Sequence, residues 1–229
     1  MKTNPMPKLE SPFVRQKIGE KFVCVPEIAE GYDWVFVDSA TMAIEKLCGV
    51  NTSIYIENGV ITHIWSRERR VPFFNLGYWP IIEALENAYV AGYMEFLPDG
   101  QHFGECIGPD LEKNRHKIEK PAWIPFETYA RKHLQYTDWR ECIELKESEP
   151  TKDPYCKNYK TFELDVQKTF DAVSEWMKNL QPIYAKRVNS PSTFIEGVVF
   201  VHPDGRMAKL RRDMFDWYVG FQHKEKEEK

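Results

Sequence analysis

The chain has 229 residues, of which 42% are apolar and 29% charged, and that balance excludes collagen-like, disordered and membrane-spanning chains. At about 150 residues per domain, the length allows one to two domains with a sizeable core. With 31 Lys and Arg against 35 Asp and Glu, the net charge is -4; this excludes a uniformly positive surface and, taken alone, argues against a nucleic-acid partner.

Residues 1–30 are rich in Pro and Lys and read as a partly irregular arm without the apolar core of a signal peptide. A short strand is expected at 34–37 (Trp-Val-Phe-Val). From Ser53 to Trp65, two β-prone runs flank Asn58-Gly59, the strongest short-range hairpin signal. A helix is expected at 80–91, where Ile81, Ile82, Leu85 and Ala88 recur at helical spacing. Residues 93–107 read strand, Pro-Asp-Gly turn, strand. Helix is expected around Thr128–His133, a polar loop over 146–160, and a long helix over 162–180 from the spacing of Phe162, Val166, Phe170, Val173, Met177 and Leu180. A third hairpin is expected around Pro203-Asp204-Gly205, and residues 223–229 read as a frayed charged tail.

This order predicts an α+β protein of antiparallel hairpins with a few covering helices. No repeat or boundary splits the chain, so one domain over 1–229 with an N-terminal arm (1–33) is expected. No stretch reaches the roughly 18 consecutive apolar residues of a membrane span. Five cysteines form no CxxC pair and six histidines no HExxH spacing. Reduced thiols in an intracellular, cytoplasmic protein (host cytoplasm if viral) are expected rather than a disulfide framework or zinc site.

Two places could carry chemistry. If the last hairpin turns near Asp204, positions summing to about 405–407 face one another, which sets Glu196 beside Lys209 and Arg211, with both cations on one face. Such a cluster reads either as a cross-strand salt-bridge group on a solvent face or as a site where a carboxylate holds a divalent cation and the cations hold phosphate. The second place is Lys46, in Glu45-Lys46-Leu47-Cys48-Gly49-Val50-Asn51, where Gly49 is expected to bend the chain and expose the lysine. It reads either as an ordinary loop lysine or as a nucleophile, and a nucleophile must first lose the proton it holds with an ordinary pKa of about 10.4.

Lys46-Leu47-Cys48-Gly49-Val50-Asn51 resembles the Lys-x-[Asp/His]-Gly-x-Asn motif of covalent nucleotidyltransferases, the superfamily of RNA and DNA ligases and capping enzymes. Further resemblances follow in that family's order. Ser66-Arg67 is similar to its arginine motif, Phe103-Gly104-Glu105-Cys106-Ile107-Gly108 to its Gly-Glu strand, and Trp123-Ile124-Pro125-Phe126 to its base-stacking aromatic. Glu196-Gly197-Val198-Val199 resembles Glu-Gly-[Val/Ile]-[Val/Met], and Lys209-Leu210-Arg211 the closing Lys-x-[Lys/Arg]. Glu45 before the lysine, the 104–114 run and Ser-Pro-Phe-Val-Arg (11–15) are most similar to RNA ligases of phage and RNA-repair type. Cys48 stands where that family has Asp or His, and Arg211 where Lys is commoner.

The resemblance implies an antiparallel-sheet, ATP-grasp-like ligase domain that uses ATP and Mg²⁺ or Mn²⁺ to seal 5′-phosphate and 3′-hydroxyl RNA ends. It implies that Lys46 becomes AMP-lysine, that Lys209 and Arg211 hold the α-phosphate, and that Glu196 helps hold the metal. Glu105 would take the ribose hydroxyls, Arg67 the nucleotide or 5′-phosphate, Phe126 (or Trp123) the adenine face, Glu45 the adenine edge, and Asn51 phosphate or a metal-bound water. Positive charge from the metal and neighbours would favour the neutral Lys46 amine. Only 18 residues follow Arg211, so a C-terminal OB-fold is not expected. The competing expectations are a DNA-nick ligase, a GTP-using capping-type enzyme, and a nucleotide- or RNA-end-binding module without turnover. Segments 67–70, 112–120 and 206–213 together carry +7 of the net -4, leaving -11 elsewhere. The negative average therefore conceals local positive charge of the kind phosphate contacts need.

Overall fold

The computed structural model describes residues 6–143, 145–147 and 162–222. The expected irregular arm is instead an antiparallel hairpin of β1 (Phe13–Ile18) and β2 (Lys21–Ile28), turning at Gly19 with a φ of +65°. Its lysines and Pro26 lie on the exposed side while Phe13, Val23 and Cys24 are buried, so local composition misled. The expected strand at 34–37 is one helical turn, α1 (Trp34–Val37), in which the Val37 N–H donates to the Asp33 carbonyl at 3.0 Å. A continuous apolar run buries equally well in either conformation, so its period could not decide.

Next come β3 (Met42–Lys46), β4 (Val50–Glu57) and β5 (Val60–Ser66). The β4–β5 hairpin turns at Asn58 (φ 53°) and Gly59 (φ 73°), as the Asn-Gly pair dictates. After β6 (Arg69–Arg70), α2 (Trp79–Val90) falls within a residue of the expected helix. Residues 93–97 are not a strand. Gly92 (φ 76°) ends α2, Tyr93 N–H donates to the Ala88 carbonyl at 2.9 Å, and Tyr93, Met94 and Leu97 fold down onto the core. Only β7 (Gly100–Ile107) is extended there. Asp99 braces a neighbouring turn instead of its own, its carboxylate accepting from the Asn58 and Gly59 N–H groups at 2.8 and 3.1 Å.

β8 (Ala122–Pro125) leads through a wide helical turn, Phe126–Ala130, into α3 (Arg131–His133), where helix was expected. β9 (Gln135–Tyr136) follows, then β10 (Leu145–Glu147), which pairs with β11 (Phe162–Leu164). The expected polar loop therefore loses residues 146 and 147 to β10; the rest of it, and the 223–229 tail, lie outside the described residues. Phe162 belongs to a strand, and α4 (Val166–Asn179) begins later than its spacing predicts, because Asp165 caps it by accepting from the Lys168 N–H at 3.1 Å. α5 (Ile183–Arg187) precedes the last hairpin, β12 (Gly197–Val201) and β13 (Met207–Arg211).

That hairpin forms as expected but in a different register. Gly197 faces Arg211 and Val199 faces Lys209, so paired numbers sum to 408 and Glu196 falls just before the ladder, not opposite either cation. The difference is one residue in the turn, where His202 N–H donates to the Arg206 carbonyl, and register errors of this size are what turn length controls.

The chain divides into two compact units, each discontinuous in sequence. The first comprises residues up to Lys8, Ile44–Gln135 and Gln181–Glu196. Its centre is an antiparallel sheet in the order β6-β5-β4-β7-β8. One face, with Ile54, Ile56, Ile64, Cys106 and Trp123, packs on Ile81, Ala84, Leu85 and Ala88 of α2. Side-chain alternation sends Asn51 and Glu105, paired across β4 and β7, to the opposite face with Ile124 of β8. Gly104 makes room for this core, since a Cβ there would lie 2.5 Å from Trp123 Nε1 and 2.6 Å from the Ile124 carbonyl oxygen.

The second unit comprises Leu9–Ala43, Tyr136–Leu180 and the chain from Gly197. Val198, Phe200, Ala208 and Leu210 of the β12–β13 hairpin are fully buried. α4 buries Val173 and Met177, and its Phe170 meets Phe13 edge-on, with ring centroids 5.1 Å apart. Among the described residues, no helix is long and apolar enough to cross a membrane.

Candidate active site

β3 ends at Lys46 in the first unit. The Lys46 ammonium lies 2.8 Å from Glu196 Oε1 and donates a longer bond to the Leu47 carbonyl at 3.4 Å. Glu105, buried on β7, accepts a hydrogen bond from the Gly49 N–H and carries the electrostatic influence of both Lys46 and Glu196. The chain bends at Gly49 as expected, and closeness is what requires glycine there. A Cβ would lie 2.1 Å from the Cys106 carbonyl oxygen, so only glycine lets the lysine loop lie against β7. Burial works against the Lys46 charge, but Glu196 and Glu105 outweigh it and hold its pKa above the ordinary value. The lysine is therefore protonated at neutral pH, its carboxylate neighbours opposing the free amine that positive charge from a metal would favour. Burial raises Glu105 to about 7; Lys46 pulls it down and Glu196 pushes it up. Burial also raises Cys48 to about 12, which leaves it an inert thiol.

Of the other residues picked out by sequence, Asn51 and Arg67 come to this region. Asn51 sits directly across from Glu105, and its side-chain amide lies 3.2 Å from Met6 Sδ. Arg67 is exposed in the left-handed region (φ 55°), donates its N–H to the Asn51 carbonyl at 2.9 Å, and lowers the Glu105 pKa. Glu45 does not join Lys46, because neighbouring strand residues face opposite ways. Its Oε2 accepts from the N–H groups of Ile183 and Tyr184 at 2.9 and 2.7 Å, where α5 begins, and its Oε1 is buried without a partner. Burial lifts it to about 7, the two N–H groups restraining the rise.

Trp123 is fully buried and its indole N–H donates to the Thr52 carbonyl at 3.2 Å, so it serves the core and has no face for a base. Phe126, at the end of β8, is half-buried. Lys209 and Arg211 belong to the second unit. There the Lys209 N–H donates to the Glu10 carbonyl at 2.9 Å, and Arg211 Nε pairs with Asp213 Oδ1 at 2.8 Å.

Three residues that sequence reasoning passed over build the floor of the cluster. His116 is 1% exposed, and its Nε2 accepts from the Cys48 N–H at 2.9 Å. The ring is thus neutral with its proton on Nδ1, and burial lowers its pKa to about 4. Ser190 Oγ donates to the His116 carbonyl at 2.6 Å and Ser192 Oγ to the Arg115 carbonyl at 2.7 Å. The segment that ends in Glu196 is thereby fastened to the loop that holds the lysine loop. In the sequence His116 stands inside a basic run and reads as charge; only its burial discloses the role.

Among the described residues, no group of three or more His, Cys, Asp and Glu side chains could hold a metal ion alone. Glu196, beside Lys46, instead suits an ion that keeps most of its waters and shares phosphate oxygens, as magnesium does.

No protein-family model and no curated protein match the sequence. Solved structures do. The chain resembles a single-residue variant of Naegleria gruberi RNA ligase with ATP and Mn at 16% identity, covering 92% of this chain and 62% of that one, with a TM-score of 0.47. A second variant with ATP and Mn gives 15% identity, coverage of 89% and 59%, and a TM-score of 0.44. The same ligase with PPi gives 18%, 75% and 49%, and 0.42. This chain therefore spans about half the length of that ligase. At these values the chemistry must be argued from this chain's own residues. Its architecture, antiparallel sheets with few helices, is the mixed α and β class that the pattern predicts.

Proposed function

We propose that the chain is an ATP-dependent RNA ligase that forms a lysyl-AMP intermediate on Lys46 and seals 5′-phosphate to 3′-hydroxyl RNA ends. The observation that carries this reading is the half-buried Lys46 paired with Glu196 at 2.8 Å and under the electrostatic influence of Glu105, in the same unit as the exposed Arg67. A lysine so held is oriented but protonated. It gives up one proton to become nucleophilic and a second once the nitrogen–phosphorus bond has formed, as the bond to pyrophosphate breaks. Glu196 is the nearest acceptor for the first proton. Glu105, poised near 7, can accept hydrogen bonds from ribose hydroxyls when ionised.

Glu196 would help hold Mg²⁺ or Mn²⁺, which when bound supplies charge neutralisation on the phosphate oxygens. Arg67 would meet the nucleotide or the incoming 5′-phosphate, Phe126 the adenine, and Asn51 a phosphate or water. Glu45 has a different role in this reading, fixing α5 rather than the adenine edge. AMP then passes to the RNA 5′-phosphate, and the 3′-hydroxyl displaces it. Incubation with ATP and Mg²⁺ is expected to add one AMP to Lys46 and none to Lys46→Ala, followed by joining of 5′-phosphorylated RNA. Equal labelling by GTP, or joining of DNA nicks alone, would redirect the reading to a capping-type enzyme or DNA ligase. ATP binding without covalent transfer would leave a binding module.

A further inference from the structure

The proposed reaction uses Arg67 but leaves unused the rest of the segment it opens, 67–79, Arg-Glu-Arg-Arg-Val-Pro-Phe-Phe-Asn-Leu-Gly-Tyr-Trp. It is anchored at both ends: Val71 is buried with its N–H on the Ile64 carbonyl at 2.9 Å, and Ile81 lies in the α2 core. Between the anchors the chain turns over Pro72–Asn75, closed by the Asn75 N–H on the Pro72 carbonyl, and Asn75 Oδ1 accepts from the Gly77 N–H at 2.9 Å to start the next turn. Phe73 and Phe74 sit at the corner of the first turn. Phe74 is 100% exposed, Phe73 48% and Trp79 52%. Lone exposed apolar side chains are ordinary, but three aromatic rings held out from an anchored seven-residue stretch are a contact surface.

Charge decides the partner. Arg67, Arg69 and Arg70 are all exposed just before these rings in the chain, against one exposed acid among them, Glu68. The unit's other exposed apolar group, Tyr89, Val90 and Phe96, is flanked by Glu86 and Glu95. Arg67 also ties the strip to the lysine cluster through Asn51 and its effect on Glu105. A second copy docked across a two-fold axis would set the arginines against themselves.

We propose that Arg67–Trp79 is a binding surface for single-stranded RNA, which places phosphates on Arg69 and Arg70, stacks bases on Phe73 and Phe74, and leads an end toward Lys46. This rests on the RNA-ligase reading above. Aromatic faces stack any base and arginines follow the backbone, so the surface is sequence-tolerant and salt-sensitive.

The test uses the full chain and a fluorescent 5′-phosphorylated single-stranded RNA, with binding read by anisotropy and AMP labelling of Lys46 as the control for an intact fold. Phe73→Ala/Phe74→Ala is expected to raise the Kd about 30-fold, and Phe74→Trp to leave it unchanged. Arg69→Ala/Arg70→Ala is expected to reduce the slope of log affinity on log salt by about 1.4, and AMP labelling should persist in every variant. Unchanged RNA affinity in Phe73→Ala/Phe74→Ala would overturn the proposal, as would a wild type that binds no RNA. A dimer that dissociates in that variant with RNA affinity intact would also overturn it, assigning the surface to a second copy. Failure of the wild type to take AMP, with RNA binding still dependent on Phe73 and Phe74, would sink the ligase reading and leave this surface standing.

Discussion

Glu45 and Glu105 are buried carboxylates in the same unit, both raised to about 7 chiefly by burial, yet their surroundings differ. Glu45 meets only uncharged donors, the N–H groups at the start of α5. Glu105 meets a cation, Lys46, and a second carboxylate, Glu196. The first arrangement fixes backbone. The second holds opposed charges that a charged ligand can rearrange. A raised carboxyl pKa thus does not by itself locate a site; the charge of its partners does.

Exchanging each carboxylate for its amide should separate the two regions most sharply. Glu105→Gln is expected to slow AMP uptake about 1,000-fold, with Glu45→Gln within about threefold of wild type in the same assay; equal losses would erase the distinction. Stability should respond next. A carboxyl raised from 4.5 to about 7 on folding contributes fully below its unfolded pKa and loses that contribution as pH rises through about 7. Glu45→Gln keeps an acceptor for both N–H groups without the charge, so denaturant melts at pH 8 should show it more stable by on the order of 3 kcal/mol, and little changed at pH 4. A destabilised variant at pH 8 would mean that the charge itself serves α5.

A smaller effect is expected at the floor of the cluster. His116→Ala orphans the Cys48 N–H and should cost about 2 kcal/mol in stability and about tenfold in AMP uptake, while His116→Asn, which can accept the same bond, should recover both. If His116→Asn is no better than alanine, packing against Tyr184 and Phe194 is the role instead. The smallest effect lies in the titration itself. In Lys46→Met the Glu105 carboxyl, followed by NMR, should titrate higher than in wild type, because Lys46 lowers it, whereas Glu45 should not move.

The sequence announced what local rules control: the Asn58-Gly59 hairpin, α2 and the final hairpin carry their turn residues and periods in plain view. It misplaced what tertiary contacts decide. The Trp34–Val37 run buries as a helical turn and the 93–97 segment folds back onto the core after Gly92, while the last hairpin pairs one residue out of the expected register because of its turn length. The site was legible in part, since Lys46, Glu105, Glu196, Asn51 and Arg67 come into one unit. Glu45 was lost to strand alternation and Trp123 to burial. His116, Ser190 and Ser192 act through backbone groups distant in sequence, which no spacing displays.

The most direct test is the intact mass of the full chain after incubation with ATP and Mg²⁺ or Mn²⁺, with peptide mapping of the modified residue. One AMP on Lys46, absent in Lys46→Ala and strongly diminished in Glu196→Ala, is the predicted result. A wild type that binds ATP but stays unmodified across both metals, or carries AMP on another residue, would contradict a lysyl-AMP intermediate on Lys46.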